Sequence, residues 1–322
     1  MAYTPEGAVA DAEPYGRPRI AVSSCLLGEP VRFNGGHSRD RFLTGALDPH
    51  VDWVPICPEM ELGLGSPRET LRLEASPYGP RLITRKTRVD LTGRMTALAA
   101  DRAGRLDVDG YVVKARSPSC GIHGIPLYPA EGRDGPPLSR RHRGLFAAAV
   151  LAAHPLLPVE DEGRLTDPLL REHFVERIFA HARLRRLLAG PRKLGDLVAF
   201  HTRHKMQLLA HDPAGYREAG RIVAGLRSRQ AYAETFRAIL ARRATPGRHV
   251  NALHHCLGML DLDAARRADL VQVIDAYRAG LVPLSVPIFL LRHHIGGHAY
   301  LADQTYFSPF PDGLRLRHHV PA

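Results

Sequence analysis

The sequence predicts an α/β N-terminal domain with a mostly parallel, Rossmann-like sheet, followed by an all-α C-terminal domain. Two patterns support this prediction. In the first half, short apolar runs bounded by turn residues alternate with helical patterns. From about residue 167 onward, apolar residues recur at helical spacing and few segments resemble strands. The chain has 322 residues, of which 44% are hydrophobic and 24% charged, a mixture that excludes wholesale disorder and suffices for two domains.

Four short segments of the first half have the length and composition of buried strands. They are residues 19–24, 51–56, 81–84 and 110–115. Alanine and leucine recur at helical spacing over residues 92–106, which predicts a helix between the last two strands. Because strands separated by helices are typical of parallel sheets, we expect a largely parallel sheet here.

The second half predicts seven helices, at residues 168–188, 194–210, 213–226, 229–244, 250–257, 262–281 and 285–294. Asp167-Pro168 and Asp212-Pro213 are signals for a helix start, because Asp caps free amides and Pro fits the first turn. The Thr-Pro-Gly sequence at residues 245–247 is predicted to break the helical pattern.

The two ends of the first domain can also be predicted. Residues 1–16 contain acidic side chains and no apolar core, unlike a signal or transit peptide, so we expect a flexible tail on a cytoplasmic protein. Two prolines and an acidic run within residues 154–166 indicate a domain boundary. We therefore predict an α/β domain over residues 17–160 and a helical domain over residues 161–322. The longest apolar stretches are far too short to span a bilayer, so no membrane partner is expected.

Charge is distributed unevenly along the chain. The formal net charge is +11, and residues 171–250 alone contain 17 Arg or Lys against six Asp or Glu, an excess of 11. The formal net charge of the rest of the chain is therefore zero. A neutral body joined to a basic segment favours a polyanionic partner such as a nucleic acid. A compositional bias is the alternative, since Arg outnumbers Lys 40 to 4.

Four cysteines in a chain of this length exclude a disulfide framework, but three of them share one context. Cys25, Cys57 and Cys120 each follow a predicted strand of the first domain. Because loops at the carboxyl ends of neighbouring parallel strands converge, we expect the three thiols in one pocket. Three thiolates suit a catalytic metal or an iron–sulfur cluster with one free iron better than a structural zinc site, which usually takes four ligands. Burial as small apolar side chains is the alternative.

The sequence around these cysteines resembles the 2-thiouracil desulfurase family. The likeness covers roughly residues 17–157 and is carried by the segments SSCLLGEPVRFNGG, CPEMELGLGSPRE and KARSPSCG. It implies that Cys25, Cys57 and Cys120 hold a 4Fe-4S cluster with one open iron. In that family the thiocarbonyl sulfur of the substrate is thought to bind there.

The helical half resembles the second domain of longer family members, through LVAFHTRHKMQLLAHDPAGYREAGRIVAG and YLADQTYFSPFP. Such two-domain bacterial proteins are similar to tRNA 4-thiouridine desulfidases, which convert 4-thiouridine in tRNA to uridine. The resemblance implies this activity, with tRNA as the partner of the basic helical domain. Two other functions stay open. One is desulfuration of free thiouracil or thiouridine, and the other is nucleic-acid binding around a structural metal site without turnover.

Glu59 is the predicted general acid/base. Desulfuration replaces C=S by C=O, so water must attack the ring carbon and protons must be moved. Glu59 follows Cys57 by two residues, which places a carboxyl beside the expected cluster. A charge in the first turn of a helix is the alternative. By the family motif, Ser117 is expected to position the water or the ring carbonyl, and a hydroxyl bonded to its own turn is the alternative.

Three further positions carry alternatives of their own. Asn34-Gly35 begins either a β-turn or a loop whose amides face the substrate. Arg68 either anchors a phosphate or pairs with Glu69. Cys256 lies in the helical half without a strand before it, so we expect a packed helix residue rather than a fourth ligand.

Six basic residues of the helical half are predicted phosphate contacts: Arg203, Lys205, Arg217, Arg221, Arg227 and Arg229. A solvated basic face without a ligand is the alternative. Tyr216 either stacks on a base or packs in the core. His201 and His204 have HxxH spacing, but no nearby Cys completes a zinc site.

Overall fold

The computed structural model describes residues 15–130, 135–190, 193–225 and 228–320. Its first half is α/β and its second half is helical, so the predicted fold class is confirmed. The predicted tail, residues 1–16, lies outside the described residues except for its last two positions. Within the described ranges, no helix combines the length and the apolar character needed to cross a bilayer.

The strands are, in chain order, β1 (Arg19–Ser23), β2 (Asp52–Ile56), β3 (Leu71–Glu74), β4 (Arg81–Thr84), β5 (Gly110–Val113), β6 (Ile125–Tyr128), β7 (Ser139–His142) and β8 (Val159–Asp161). A parallel sheet has the order β2-β1-β5-β8. The inner strand β1 has an apolar centre, in which Ile20, Ala21 and Val22 are fully buried. Such a run is expected of a parallel strand covered on both faces.

A second sheet has the order β4-β3-β6-β7, with β3 and β6 parallel and both outer strands antiparallel to their neighbours. The predicted strand at residues 81–84 is β4, so it belongs to this sheet and not to the parallel one. The other three strands of this sheet were not predicted. Each has only four residues, and charged side chains or a proline interrupt their apolar pattern.

Three helices belong to the α/β domain: α1 (Pro58–Glu61), α2 (Thr92–Gly104) and α3 (Leu145–Ala153). The last two pack together against one side of the parallel sheet, where Met95 and Phe146 are buried with Tyr111 of β5. The sequence predicted α2 but not α3, because an alanine-rich apolar segment does not reveal its period.

The remaining helices are α4 (Pro168–Ala189), α5 (Leu194–His211), α6 (Pro213–Ala224), α7 (Arg229–Ala241), α8 (Pro246–Gly258), α9 (Ala264–Arg278), α10 (Ser285–Ile295) and α11 (Ala299–Ala302). All seven predicted helices are present among them. The carboxylate of Asp167 caps α4 and that of Asp212 caps α6, as the Asp-Pro signals indicated. The prediction for α8 was wrong at its start, because Thr245 caps the helix and Pro246 is its first residue.

Helix α4 covers the second face of the parallel sheet. Phe174, Ile178 and Phe179 share an apolar cluster with Ile20 and Val22 of β1. The approach is so close that a Cβ on Gly110 would lie 2.5 Å from Cγ2 of Ile178, which accounts for the glycine at the start of β5. The helical half therefore supplies one layer of the α/β core.

Candidate active site

A cavity of about 430 Å³ lies at the carboxyl edge of the parallel sheet, and Cys25, Cys57 and Cys120 all line it. Cys25 lies in the helical turn that follows β1. Cys57 comes directly after β2 and precedes the first residue of α1. Cys120 lies in the loop after β5. Because β1 lies between β2 and β5, the structure brings together the three thiols that the sequence singled out.

Burial controls the protonation of these thiols. It raises the pKa of Cys25 to about 11, an effect that Lys114 opposes and Cys57 reinforces. Burial also raises the pKa of Cys57 and that of Cys120, and for Cys120 the nearby Glu59 and Cys57 add to the rise. The unliganded thiols are therefore neutral at pH 7, and metal binding must release their protons.

The donor set fits an iron–sulfur cluster. Among the described residues, no group of three His, Cys, Asp or Glu side chains is arranged to hold a single metal ion. Thiolates that share one tetrahedral zinc ion lie about 3.8 Å apart. In a 4Fe-4S cluster each thiolate binds a different iron atom, so the three thiols need only line the same cavity.

Glu59 lines the same cavity from the first turn of α1. Its Oε2 accepts a hydrogen bond of 2.9 Å from Nε of Arg68 and a second one from Nη2. Its Oε1 accepts a hydrogen bond of 2.9 Å from the hydroxyl of Ser119. The Arg68 and Glu59 side chains are only 7% and 13% exposed. The carboxylate is thus fixed at both oxygens, beside two of the thiols.

Arg68 does not form the ion pair with Glu69 that was one of the two sequence-based alternatives. Its partner is Glu59, whereas Glu69 accepts hydrogen bonds from Thr87 and from the amide of Lys86. The Nη1 group of Arg68 donates to the carbonyls of Val31 and Gly65, at 2.9 and 2.7 Å. All three nitrogens of Arg68 therefore donate to the protein, and the anion that they hold in this structure is the Glu59 carboxylate.

The two serines beside Pro118 have different surroundings. The Ser117 hydroxyl lines the cavity and accepts hydrogen bonds from the amides of Ser119 and Cys120, at 3.2 and 3.1 Å. This is the turn geometry of the alternative interpretation. Ser119 is fully buried and supplies the hydrogen bond to Glu59. Sequence reasoning missed Ser119, because no local pattern tells which of two serines around a proline points to a distant carboxylate.

Asn34 and Cys256 have structural surroundings. The Gly35 amide donates to the carbonyl of Arg32 at 2.9 Å, and the Asn34 side chain accepts from the amide of Gly36, as in a β-turn. Gly35 has a φ of 78°, which favours glycine. Cys256 is fully buried among apolar residues of the helical half, and burial raises its pKa to about 12.

The predicted RNA contacts lie on three consecutive helices. Arg203 and Lys205 are on α5, Arg217 and Arg221 are on α6, and Arg229 begins α7. Arg227 lies outside the described residues. Two of these guanidinium groups form ion pairs at the surface, Arg203 with Asp303 and Arg221 with Glu218.

Several basic side chains of residues 171–250 form hydrogen bonds or ion pairs with other groups of the protein. Arg171 donates to the carbonyl of Leu165, and Arg183 donates to that of Pro309. Other basic side chains of this segment pair with carboxylates, namely Arg185 with Asp109 and Arg242 with Asp212. The sequence therefore overestimates how much positive charge faces solvent.

His201 and His204 are buried and bonded to the protein. Nδ1 of His201 lies 3.3 Å from the hydroxyl of Tyr232, and Nδ1 of His204 lies 2.7 Å from the carbonyl of Phe200. Burial lowers the pKa of His201 to about 4. Tyr216 is half-buried, and its ring stacks on that of His201 at 6.2 Å, so it packs against the core.

Two protein-family models match different parts of the chain. The model of the family described as 2-thiouracil desulfurase matches residues 20–162, a range that includes the three thiols, Glu59 and both serines. The model of a family described as protein of unknown function (DUF1722) matches residues 205–311.

Two curated proteins and one solved structure are similar to the chain. "Uncharacterized protein YbgA" of Escherichia coli (strain K12) is 33% identical over 153 residues, which are 44% of this chain and 90% of that protein. "Uncharacterized protein YbbK" of Bacillus subtilis (strain 168) is 31% identical over 110 residues, which are 32% of this chain and 72% of that protein. The solved structure, a [4Fe-4S]-dependent thiouracil desulfidase TudS, is 28% identical with a TM-score of 0.38, covering 49% of this chain and 100% of its own.

Proposed function

Because the chain belongs to the 2-thiouracil desulfurase family, we propose that it is an iron–sulfur-dependent desulfidase that converts 4-thiouridine in tRNA to uridine. The reaction exchanges the thiocarbonyl sulfur for the oxygen of one water molecule, and the sulfur leaves as hydrogen sulfide. One observation carries the proposal. Three cysteine thiols and one fixed carboxylate share a single cavity at the edge of the parallel sheet.

Cys25, Cys57 and Cys120 are the residues that would hold a 4Fe-4S cluster. Three soft sulfur donors in one cavity support this assignment, because they leave one iron without a protein ligand. When bound, such a cluster supplies a Lewis acid with affinity for sulfur. Burial raises the pKa of Cys25, and the nearby Lys114 and Arg32 offset part of that rise, so their positive charges favour the thiolate that a metal requires.

Glu59 has the geometry of a general base. Its carboxylate is held by Arg68 and Ser119 and borders the cavity, so it accepts a proton from the water that attacks the ring carbon. Ser117 remains our candidate for positioning that water or the ring carbonyl. Its oxygen accepts two amide hydrogen bonds, and no described acceptor takes its own proton, which is left to be donated into the cavity.

The choice of tRNA as substrate rests on the helical domain. Arg217 and Arg221 are exposed on α6, and Lys205 is half-buried on α5, the helix packed against it. Phosphate contacts from such residues give affinity without reading a sequence, which suits an enzyme that acts on many tRNAs. The target base would have to leave its stack in the folded RNA to reach the cavity.

The decisive experiment is anaerobic reconstitution followed by two measurements. The protein is expected to take up about four iron and four sulfide per chain, and treated tRNA is expected to lose 4-thiouridine in nucleoside mass spectrometry. Replacing Cys25, Cys57 or Cys120 by Ala should abolish both results, whereas the buried Cys256→Ala control should retain the iron. A full cluster in any of the first three variants contradicts the ligand assignment. An unchanged 4-thiouridine content contradicts the activity.

A free thio-base is the second candidate substrate, because the matched family is named for 2-thiouracil and part of the basic excess is neutralised by carboxylates of the protein. Salt distinguishes the two. Binding of tRNA weakens steeply with salt because counterions are released, whereas turnover of free thiouracil depends little on it.

A further inference from the structure

A cavity of about 550 Å³ lies between the two halves of the chain. Residues 106–109 and 153–157, which precede β5 and β8, form its wall on the α/β side, and helices α4 and α7 form the wall on the helical side. These loops lie at the amino edge of the parallel sheet, whereas the three cysteines lie at its carboxyl edge. No described residue lines both cavities, so this interdomain cavity is separate from the candidate active site.

His181 of α4 lines the interdomain cavity and is only 4% exposed. Its Nε2 atom is buried without a hydrogen-bond partner, and its ring forms no other hydrogen bond within the described ranges. The other buried histidines of the helical half each lie at hydrogen-bond distance from a carbonyl or a hydroxyl: His201, His204, His211 and His249. A buried polar ring without partners costs stability, so we expect a ligand to supply them.

Arg237 of α7 is half-buried at the same cavity and forms no hydrogen bond or ion pair with any described residue. It lies near His181, because burial and the charges of Arg177 and Arg237 together lower the pKa of that ring. Arg185 lines the cavity too, but its guanidinium pairs with Asp109 at 2.8 Å. Among the described lining residues, Arg237 is therefore the cation without a counterion.

The charges around the cavity limit the class of ligand. Three carboxylates line it, those of Asp107, Asp109 and Glu234. They disfavour a ligand with two negative charges, such as a phosphate, whereas a single carboxylate can pair with Arg237. The neutral ring of His181 has one N–H group, which can donate to the same carboxylate.

Apolar side chains form much of the remaining wall. Leu106 and Leu156 come from the α/β side, and Leu188 comes from α4. Cavities of this volume that combine apolar walls with a few polar groups are typical of small-molecule sites. The wall therefore suits a ligand whose body is apolar.

We propose that the interdomain cavity binds a small monocarboxylate with an apolar body, whose carboxylate pairs with Arg237 and accepts a hydrogen bond from His181. Such a ligand contacts both halves of the chain, so its binding stabilises the folded arrangement of the two. The inference does not depend on the proposed function, because no residue of the candidate active site takes part.

Calorimetry on the cluster-free protein tests this site with the straight-chain monocarboxylates from butanoate to decanoate. We expect saturable binding of at least one acid, about tenfold tighter than that of the amide of the same length, because the amide lacks the charge. Arg237→Gln and His181→Leu should each weaken binding about tenfold. The control is Arg266→Gln, which removes the same charge from the exposed side of α9 and should leave the affinity unchanged.

Thermal unfolding without ligand separates a binding role of His181 from a structural one. His181→Leu should unfold at the same temperature as the native protein or at a higher one, since it removes a buried polar ring without a partner. The matched control is His204→Leu, because both ring nitrogens of His204 have partners, the Phe200 carbonyl and Arg183. This control should lower the Tm.

Three results overturn the proposal. The first is the absence of saturable binding by any acid of the series, or equal affinity for an acid and its amide. The second is an affinity that survives both cavity variants or falls equally in Arg266→Gln, because the acid then binds elsewhere. The third is a Tm of His181→Leu as low as that of His204→Leu, because the ring would then stabilise the fold itself.

Discussion

The hydroxyl of Ser119 donates a hydrogen bond of 2.9 Å to Oε1 of Glu59, across 60 residues of sequence. Glu59 follows β2 and Ser119 follows β5, the two strands on either side of β1. Their loops also carry Cys57 and Cys120. One hydrogen bond therefore links the orientation of the carboxylate to the positions of two thiols.

Glu59→Gln is expected to lower desulfuration about 100-fold or more while the iron content stays unchanged, because the amide cannot take the proton of the attacking water. Single-turnover assays on reconstituted protein, with iron analysis of the same samples, measure both quantities. Ser119→Ala should lower the rate less, about tenfold, since it removes only one hydrogen bond to the carboxylate. Full activity of Glu59→Gln would exclude Glu59 as the base.

Arg68→Met should destabilise the cluster-free protein by about 3–5 kcal/mol, because it leaves the buried carboxylate of Glu59 without its counterion. Denaturant unfolding measures this free energy. The double variant with Glu59→Gln should recover part of the loss. The matched control is Arg102→Met, whose pair with Glu61 is 46% and 22% exposed and should change stability by about 1 kcal/mol or less. Similar losses for both arginines would contradict this account of the Arg68 pair.

Cys57 is expected to react first with iodoacetamide in the reduced, cluster-free protein. It is half-buried, whereas Cys25 and Cys120 are 7% and 6% exposed and Cys256 is fully buried. Peptide mass spectrometry at short reaction times gives the order of labelling. Reconstitution should protect Cys57, because a ligand thiolate is not free to be alkylated. Equal labelling of Cys57 before and after reconstitution speaks against its role as a ligand.

Stability should fall as the pH drops from about 6.5 to about 4. Burial lowers the pKa of His173 and of His201 to about 4 and that of His249 to about 3. The unfolded chain, with histidines near 6.5, binds more protons in this window, at about 1.4 kcal/mol per pH unit for each histidine. Glu172 acts in the opposite sense from pH 4.5 to about 7, because burial raises its pKa to about 7. These four groups give a net slope of about two protons, and His181 and His204 make it steeper, because burial lowers the pKa of each well below its usual range.

Urea unfolding at pH 7 and pH 5 checks this slope, and His249→Gln should make it shallower by about one proton. A free energy of unfolding at pH 5 that equals or exceeds the value at pH 7 would contradict the proposed effect of the buried histidines.

Arg217→Ala should weaken tRNA binding and reduce the slope of log K against log salt by about one, since one phosphate contact is lost. Fluorescence anisotropy with labelled tRNA at several salt concentrations measures the slope. The control is Arg266→Ala on α9, an exposed arginine paired with Asp263 outside the predicted RNA contacts. If both variants leave the slope unchanged, Arg217 does not contact a phosphate of the RNA.

The sequence identified the parallel sheet and the long helices because their signals are strong. The centre of β1 is an apolar run, Ile20 to Val22, and the Asp-Pro pairs before α4 and α6 mark helix starts. The second sheet has weaker signals. Ser139–His142 is a strand only because it pairs with β6, and its sequence SRRH has no apolar residue. Tertiary pairing, which a local pattern does not contain, decides such cases.

The candidate site shows the same limit. The cysteines could be grouped from sequence because each follows a strand, and parallel strands bring their ends together. The partner of Arg68 could not be found in this way. Glu69 is adjacent in sequence, but Glu59, nine residues away, lies across the cavity edge and forms the ion pair. Likewise, only the folded loop distinguishes Ser119 from Ser117.

The apolar cluster that joins α4 to the parallel sheet has a consequence for how the molecule selects its substrate. Cys25 belongs to this cluster together with Phe174 of α4 and Phe310 near the C-terminus. A fragment cut at residue 160 would expose that side of the sheet to water, so the two halves are not separable units on a tether. In the proposed function, an RNA bound to the helices lies at a fixed distance from the thiols. We therefore expect the protein to discriminate among thio-bases by their position in the tRNA fold, because the shared core fixes the distance between the helices and the thiols.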